Sequence, residues 1–142
     1  MDVQLEYSMA ITVTIDNKVK TVTAAGLTVD QFNDLEYLCN EEVLKDFRDL
    51  RLRRHICQEL NHVATHDWIH ISDLKHYTAR SFQPFDPNDD QDIQDRRRGN
   101  FDRAFYDVIY DLVTMGVIYR RNKYGVKPTK VGHIILDLLF SN

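Results

Sequence analysis

Two runs near the C-terminus decide the predicted fold: Leu112-Val113-Thr114-Met115-Gly116-Val117-Ile118-Tyr119-Arg120-Arg121 and Pro128-Thr129-Lys130-Val131-Gly132. Gly116 is placed to end a helix at its C′ position, because glycine adopts the left-handed conformation without a steric cost. The segments 117–120 and 126–127 then predict two short strands joined as a hairpin. Thr129 is a preferred N-cap for a last helix. The chain therefore closes with the order helix, hairpin, helix.

The helix before Gly116 is indicated by apolar residues at helical spacing, Phe101, Phe105, Val108, Ile109 and Leu112. The preceding segment 83–95 contains two prolines and five aspartates and is the least hydrophobic part of the chain. This composition predicts an acidic loop, and we expect any disorder of the chain to lie there.

The N-terminus predicts a β-hairpin. Residues 9–15 and 19–22 alternate apolar with polar positions on either side of Asp16-Asn17-Lys18, which supplies turn chemistry. Thr28 and Gln31 have the spacing of a capping box, so a short helix follows the hairpin.

The middle of the chain predicts further helices. Asn40 is a suitable N-cap for a helix that we expect to run through residue 63 and to be the longest of the protein. Its apolar face shifts phase once near Leu50. The segment 68–71 then predicts a short strand, after which Ser72 caps a brief helix.

Composition limits the class of protein. The chain has 142 residues, 43% of them hydrophobic, which suffices for one compact domain. No run approaches the roughly 18 apolar residues that a membrane helix needs. The acidic N-terminus does not resemble a signal peptide, and two cysteines do not form a disulfide framework. We therefore expect a cytoplasmic protein without a membrane partner.

The net charge of −4 hides a polarised distribution. The segment 94–131 holds nine basic residues and four acidic ones, a net of +5, so the rest of the chain carries −9. A basic segment on an acidic body is typical of modules that bind an anionic partner, although an uneven solvated surface gives the same pattern.

From about residue 54 onward the predicted order is helix, short strand, helix, helix, hairpin, helix. This order, with the two runs quoted above, resembles winged-helix regulators of the multiple-antibiotic-resistance and phenolic-acid-decarboxylase repressor types over roughly the C-terminal 60% of the chain. The resemblance implies an α+β fold. It also implies two parts of the chain: an N-terminal extension with a β-hairpin and helix over residues 1–53, and a winged helix-turn-helix domain over residues 54–142. Pro128, where the family has an aliphatic residue, and the acidic loop depart from the family pattern.

The resemblance also implies a transcriptional regulator that binds double-stranded DNA as a homodimer. The helix at 131–140 and the N-terminal hairpin are the candidate dimer surfaces. Arg and Lys side chains before the third helix and on the wing suit DNA phosphates, and an aromatic ring on the wing can stack. The candidate nucleic-acid-binding residues are Arg96, Arg97, Arg98, Arg103, Arg120, Arg121, Lys123, Tyr124 and Lys127. Alternatively, these residues are ordinary solvated charges, and Arg96, Arg97 and Arg98 only balance the negative charge of the acidic loop.

A second hypothesis is a protein-interaction module on the same fold, a phage- or plasmid-type adaptor or inhibitor that binds a basic protein and no DNA. The helix before the wing presents three carboxylates and two tyrosines on its predicted exposed side: Asp102, Tyr106, Asp107, Tyr110 and Asp111. Three carboxylates oppose a polyanion, whereas an Asp/Tyr surface suits a protein partner. Alternatively, the N-terminal hairpin half-buries the two rings.

Nothing in the sequence predicts an enzyme, a cofactor or a metal. His62 and His66 have the spacing of two zinc ligands on a helix, but the general-base glutamate of zinc proteases is missing between them. Cys39 and Cys57 are isolated, with no Cys-x-x-Cys motif. The glycines form no phosphate-binding loop.

Overall fold

The computed structural model describes residues 7–63, 67–121 and 125–141. Within them the protein is α+β, as predicted, with six helices and two antiparallel sheets of two strands each. The elements are β1 (Tyr7–Ile15), β2 (Lys18–Leu27), α1 (Val29–Leu38), α2 (Glu41–Asp49), α3 (Arg51–Val63), α4 (Ile71–Phe82), α5 (Gln91–Thr114), β3 (Ile118–Arg121), β4 (Gly125–Pro128) and α6 (Lys130–Phe140).

The N-terminal hairpin is confirmed. Ile15 pairs with Lys18, so the turn consists of Asp16 and Asn17, which have φ values of 52° and 62°. Two residues in the left-handed region make the turn whose twist matches that of the strands. The hairpin packs one face on the body, where Val13 and Val22 are buried.

The predicted helix ends are confirmed where a single side chain decides them. The Thr28 side chain accepts from the backbone of Gln31, and the Gln31 side chain accepts from the backbone of Thr28, which completes the capping box of α1. At the start of α2 the Asn40 side chain accepts from the backbone of Glu42, and at the start of α6 the Thr129 side chain accepts from the backbone of Gly132. Gly116, with φ of 79°, follows the last turn of α5.

The prediction of a single long helix over residues 40–63 is wrong. Leu50 has a ψ of 102°, which is extended backbone, and it separates α2 from α3. The change of direction lets both helices bury an apolar face, Leu44 and Phe47 on α2 and Ile56 and Leu60 on α3. The phase shift in the sequence therefore marks a break between two helices.

The segment around Trp68 also differs from the prediction. Ile69 forms one antiparallel bridge with Val126 rather than a strand over 68–71, and Ile71 already belongs to α4. The N-cap of α4 is His70 instead of Ser72, because the His70 imidazole accepts from the Ser72 backbone. The bridge places this segment beside the second hairpin.

The predicted acidic loop is shorter than expected. Helix α5 begins at Gln91, so the irregular segment covers only residues 83–90, and α5 with 24 residues is the longest helix. Helix α5 starts after Asp90, whose side chain makes no capping hydrogen bond, and Asp92 in its first turn is favoured there by the helix dipole. The predicted position of Arg96, Arg97 and Arg98 before the helix is therefore also wrong.

One cluster of buried side chains forms the core and includes Val13 of the hairpin, Phe47 of α2, Phe105 of α5 and Leu136 of α6. Helix α6 contacts α3, α1, β2 and β4. Its apolar residues are buried or partly buried within the chain, and its role as a dimer surface stays a prediction. The predicted division between residues 53 and 54 falls inside α3 and stays a prediction. None of the described helices has the length and apolarity to cross a membrane.

Candidate nucleic-acid interface

Helix α5 has a buried side and an outward side. Phe101, Phe105, Ile109 and Leu112 are buried and anchor the helix on the core. At 100° per residue, the positions opposite this stripe carry polar side chains. The outward side is formed by Arg96, Arg103, Asp107, Tyr110 and Thr114, all exposed.

The structure divides the three predicted carboxylates of this helix. Asp102 lies on one flank, 3.5 Å from Lys75 Nζ of α4. Asp111 lies on the other flank, 3.8 Å from Arg53 Nη2 of α3. Each carboxylate therefore faces a cation of a neighbouring helix, and Asp107 remains on the outward side without an ion pair to any described residue.

Tyr106 joins α5 to α4 and to the second hairpin. Lys75 Nζ lies 5.3 Å and Arg120 Cζ 5.8 Å from its ring centroid, both within the range of cation–π contacts. The ring meets Phe105 edge-on at 5.5 Å. Tyr106 is 36% exposed and Tyr110 is 69% exposed, so both rings reach the surface. The Tyr106 ring is partly covered by Lys75 of α4 and Arg120 of β3.

The second hairpin carries its own cluster of cations around Trp68. Arg121 Cζ and Lys127 Nζ each lie 5.0 Å from the indole centroid. Gly125 explains why the hairpin lies so close to this segment: its φ is 146°, and an added Cβ would lie 2.1 Å from the Ile69 carbonyl oxygen. The predicted residues Lys123 and Tyr124 lie outside the described residues.

The three consecutive arginines have different surroundings. Arg97 Nη1 lies 3.0 Å from Asp89 of the acidic loop, and the Arg98 guanidinium lies 5.2 Å from the Phe85 ring. Arg96 has no ion pair with a described residue and points outward with Arg103. Only Arg97 therefore answers the acidic loop through an ion pair, and Arg96 and Arg103 keep their charge available.

Sequence reasoning missed two residues of this surface. The sequence gives no signal that Trp68 contacts the second hairpin, because the bridge between Ile69 and Val126 joins segments far apart in the chain. Lys75 gave no signal, because its position beside Asp102 and Tyr106 depends on how α4 packs beside α5. Together with Arg103 and Arg120 they define the corner of α4, α5 and the second hairpin.

The two cysteines lie away from this corner, Cys57 buried and Cys39 partly buried. Burial raises the pKa of the Cys57 thiol to about 12 and that of Cys39 to about 11. Both thiols stay protonated at neutral pH and are weak nucleophiles. Among residues 7–63, 67–121 and 125–141, no three metal-ligating side chains converge. His62 is exposed on α3, and His66 lies outside the described residues.

No family model, curated protein or solved structure matches this chain. The corner of α4, α5 and the second hairpin must therefore be interpreted from its own chemistry. It combines cations from three elements with exposed aromatic rings, which is a composition suited to an anionic polymer.

Proposed function

We propose that this protein is a winged helix-turn-helix module that binds double-stranded DNA and regulates transcription in the cytoplasm. The order of the elements supports this proposal: α3, the bridge at Ile69, α4, α5, the β3–β4 hairpin and α6. A third chain segment beside the hairpin is typical of a wing. In such modules the helix before the wing enters the major groove. Here that helix is α5.

The observation that supports the proposal is the pairing of two carboxylates on the flanks of α5 with cations of α3 and α4. Lys75 pairs with Asp102 and Arg53 with Asp111, so Arg96, Arg103 and Asp107 leave a net of +1 on the outward side of α5. Arg120 adds a charge beside Tyr106, and Arg121 and Lys127 add two more on the hairpin. Phosphates on both sides of a groove would meet these two groups of cations.

The test is fluorescence anisotropy of a labelled 20-base-pair duplex at 50 to 200 mM salt. The double variant Arg103→Ala, Arg120→Ala should bind more weakly, and its slope of log affinity against log salt should be smaller by about 2, since each neutralised phosphate contributes about 0.9. A matched control, Lys45→Ala with Arg80→Ala, removes the same charge from two exposed positions on α2 and α4 and should leave the slope unchanged. Undetectable binding at 50 mM salt, or equal effects of the two pairs, contradicts the proposal.

The protein-interaction alternative retains one supporting observation, the 69% exposure of Tyr110 beside the unpaired Asp107. A basic protein partner would use these two residues. Asp107→Asn separates the hypotheses, because it should strengthen duplex binding by removing a repulsive charge but weaken capture of a basic partner. Tighter duplex binding by this variant supports DNA as the ligand.

The proposal includes a homodimer, for which the N-terminal hairpin and α6 are the candidate surfaces. Val19 is 70% exposed beside the turn. Replacing Val19 with Lys should shift the sedimentation coefficient from dimer to monomer, since a desolvated charge opposes a two-fold interface. A wild-type monomer at all concentrations contradicts this part alone.

A further inference from the structure

A groove lies between the start of α3, the end of α4 and the first half of α5, and we call it the Phe82 groove. Its volume is about 310 Å³, and its floor is apolar, formed by Leu52, Phe82, Pro84, Phe101 and Ala104. The groove is open to solvent rather than enclosed. Because small-molecule sites bury most of their ligand, an open groove fits a side chain carried by a larger partner better.

The Phe82 groove lies on a different side of α5 from the proposed DNA interface. Arg97 and Ala104 line the groove, whereas Arg96 and Arg103 lie on the outward side of the helix. At 3.6 residues per turn, the stripe through Arg97 and Ala104 is turned by about 100° from the stripe through Arg96 and Arg103. A ligand in the groove therefore occupies a surface of its own.

The Phe82 ring is held in place by three neighbours. Its centroid lies 5.8 Å from that of Phe101 and 5.5 Å from that of His55, which meets it edge-on. Arg51 Cζ lies 4.4 Å from the ring centroid, and Arg51 Nη2 donates to the Phe82 carbonyl oxygen at 3.0 Å. Since the floor of the groove is already ordered, a ligand binds there with little further loss of side-chain entropy.

The charges around the Phe82 groove are positive. Arg97 is part of its wall, and the Arg51 guanidinium lies over its floor. Arg97 pairs with Asp89, whereas Arg51 and Arg98 are exposed and have no ion pair with a described residue. None of the residues that line the groove is a carboxylate. The groove therefore complements an acidic partner, unlike the surface of Asp107 and Tyr110.

We propose that the Phe82 groove docks an acidic peptide segment of a partner protein, which inserts one aromatic or large aliphatic side chain between Leu52, Phe82 and Ala104. Carboxylates next to the inserted side chain contact Arg51 and Arg97. An apolar anchor in a preformed pocket supplies most of the affinity of such an interface, and charges at its rim select the partner. The inference does not depend on the proposed DNA binding.

The experiment titrates the ¹⁵N-labelled full chain with a synthetic peptide of six glutamates around one central phenylalanine, and follows amide chemical shifts. The shifts should saturate and should be largest at Leu52, Phe82 and Ala104. Two matched peptides test the chemistry. Alanine in place of the phenylalanine removes the anchor, and lysines in place of the glutamates reverse the charge, so each peptide should bind at least about fivefold more weakly.

Variants of the chain test the geometry. Ala104→Gln places a longer, neutral side chain in the groove and should weaken binding of the acidic peptide about tenfold, because it obstructs the anchor. Arg51→Met removes a cation over the floor and should weaken binding about fivefold. Arg80→Met removes an exposed arginine of α4 outside the groove and should leave the affinity unchanged. The amide spectrum of each variant without peptide reports its fold.

A separate titration with the 20-base-pair duplex distinguishes a peptide groove from a nucleic-acid surface. Shifts caused by the duplex and centred on Leu52 and Phe82 would assign the groove to DNA and overturn the proposal. Equal affinities for the three peptides, equal effects of Arg51→Met and Arg80→Met, or an undiminished affinity of a folded Ala104→Gln variant overturn it as well.

Discussion

The two ends of α5 are held by different forces. At the C-terminal end the backbone of Val117 donates to the Leu112 carbonyl at 3.0 Å, and Thr129 Oγ1 donates to the Gly116 carbonyl at 2.6 Å. At the other end, residues 91–100 include no buried side chain. There Gln94 Nε2 donates to the carbonyls of Asp89 at 2.7 Å and Pro87 at 3.0 Å.

This difference indicates unequal local stability along one helix. Buried contacts are lost only when the core opens, whereas exposed polar contacts exchange with water at little cost. The proposed DNA interface includes residues of both parts of α5. Arg103 lies in the part with buried side chains, which we call the anchored end and beside which Arg120 lies, and Arg96 lies in residues 91–100, which we call the polar end. Four substitutions test the comparison, and we describe them in order of decreasing effect.

The largest effect should come from Phe105→Ala at the anchored end. Phe105 is fully buried and packs against Phe101, with ring centroids 6.1 Å apart. Removing a buried phenyl ring leaves a cavity, so the free energy of unfolding in urea should fall by about 3–5 kcal/mol. Asn100→Ala, on the exposed part of the same helix, should change it by less than about 0.5 kcal/mol. Similar values for both would mean that the two ends do not differ.

Thr129→Ala should have the next largest effect. The Thr129 hydroxyl accepts from the Gly132 backbone at 2.9 Å and donates to the Gly116 carbonyl, so it joins the start of α6 to the end of α5. Loss of such a cap should reduce the free energy of unfolding by about 1–2 kcal/mol. Thr129→Ser keeps the hydroxyl and should recover most of this loss in the same urea titration. A serine variant as unstable as the alanine variant would assign the effect to the methyl group instead.

Gly99→Ala should stabilise the polar end of α5. Apart from the adjacent backbone of α5 itself, no atom lies within 4 Å of a Cβ built at Gly99, and the Gly99 backbone is helical. Alanine loses less conformational entropy than glycine in a helix, so the gain should be about 0.5–1 kcal/mol. Thermal unfolding should show the gain, and amide hydrogen exchange over residues 91–100 should slow. Unchanged exchange there would show that the backbone of this end is already as stable as the core.

The smallest effect should come from Asp89→Asn, which removes the ion pair with Arg97. The Arg97 side chain is 52% exposed, and surface ion pairs contribute at most about 1 kcal/mol. The free energy of unfolding should be almost unchanged, while exchange of the amides near Gln94 should increase severalfold. The difference in amide exchange between the variant and the wild type should disappear at 1 M salt, where the Debye length is about 3 Å. A loss of global stability would indicate that the loop belongs to the core.

The features that the sequence predicted correctly are those that neighbouring residues decide. Asp16 and Asn17 make the hairpin turn, and Thr28, Asn40 and Thr129 begin helices, because each satisfies a backbone group two or three residues away. The sequence shows the break at Leu50 only as a change of phase within one predicted helix. The separation into α2 and α3 could not be predicted, because it depends on the packing of both helices on the core.

The site divides in the same way. The basic residues of α5 and the second hairpin could be named from the sequence, and the exposed side of α5 was approximately right for Asp107 and Tyr110. The pairing of Asp102 with Lys75 and of Asp111 with Arg53 could not be predicted, because the partners are 27 and 58 residues away in the chain. These pairs change which charges a ligand would meet.

The sequence by itself determined the turn of the first hairpin, the starts of α1, α2 and α6, the end of α5 at Gly116 and the excess of positive charge after residue 94, because these depend on side-chain and backbone chemistry within a few residues. Only the tertiary structure decided which carboxylates of α5 have an ion-pair partner, that Trp68 contacts two cations of the second hairpin, and that the Phe82 groove forms between α3 and α5. Those properties arise from distances between elements, and the packing of the common core sets these distances.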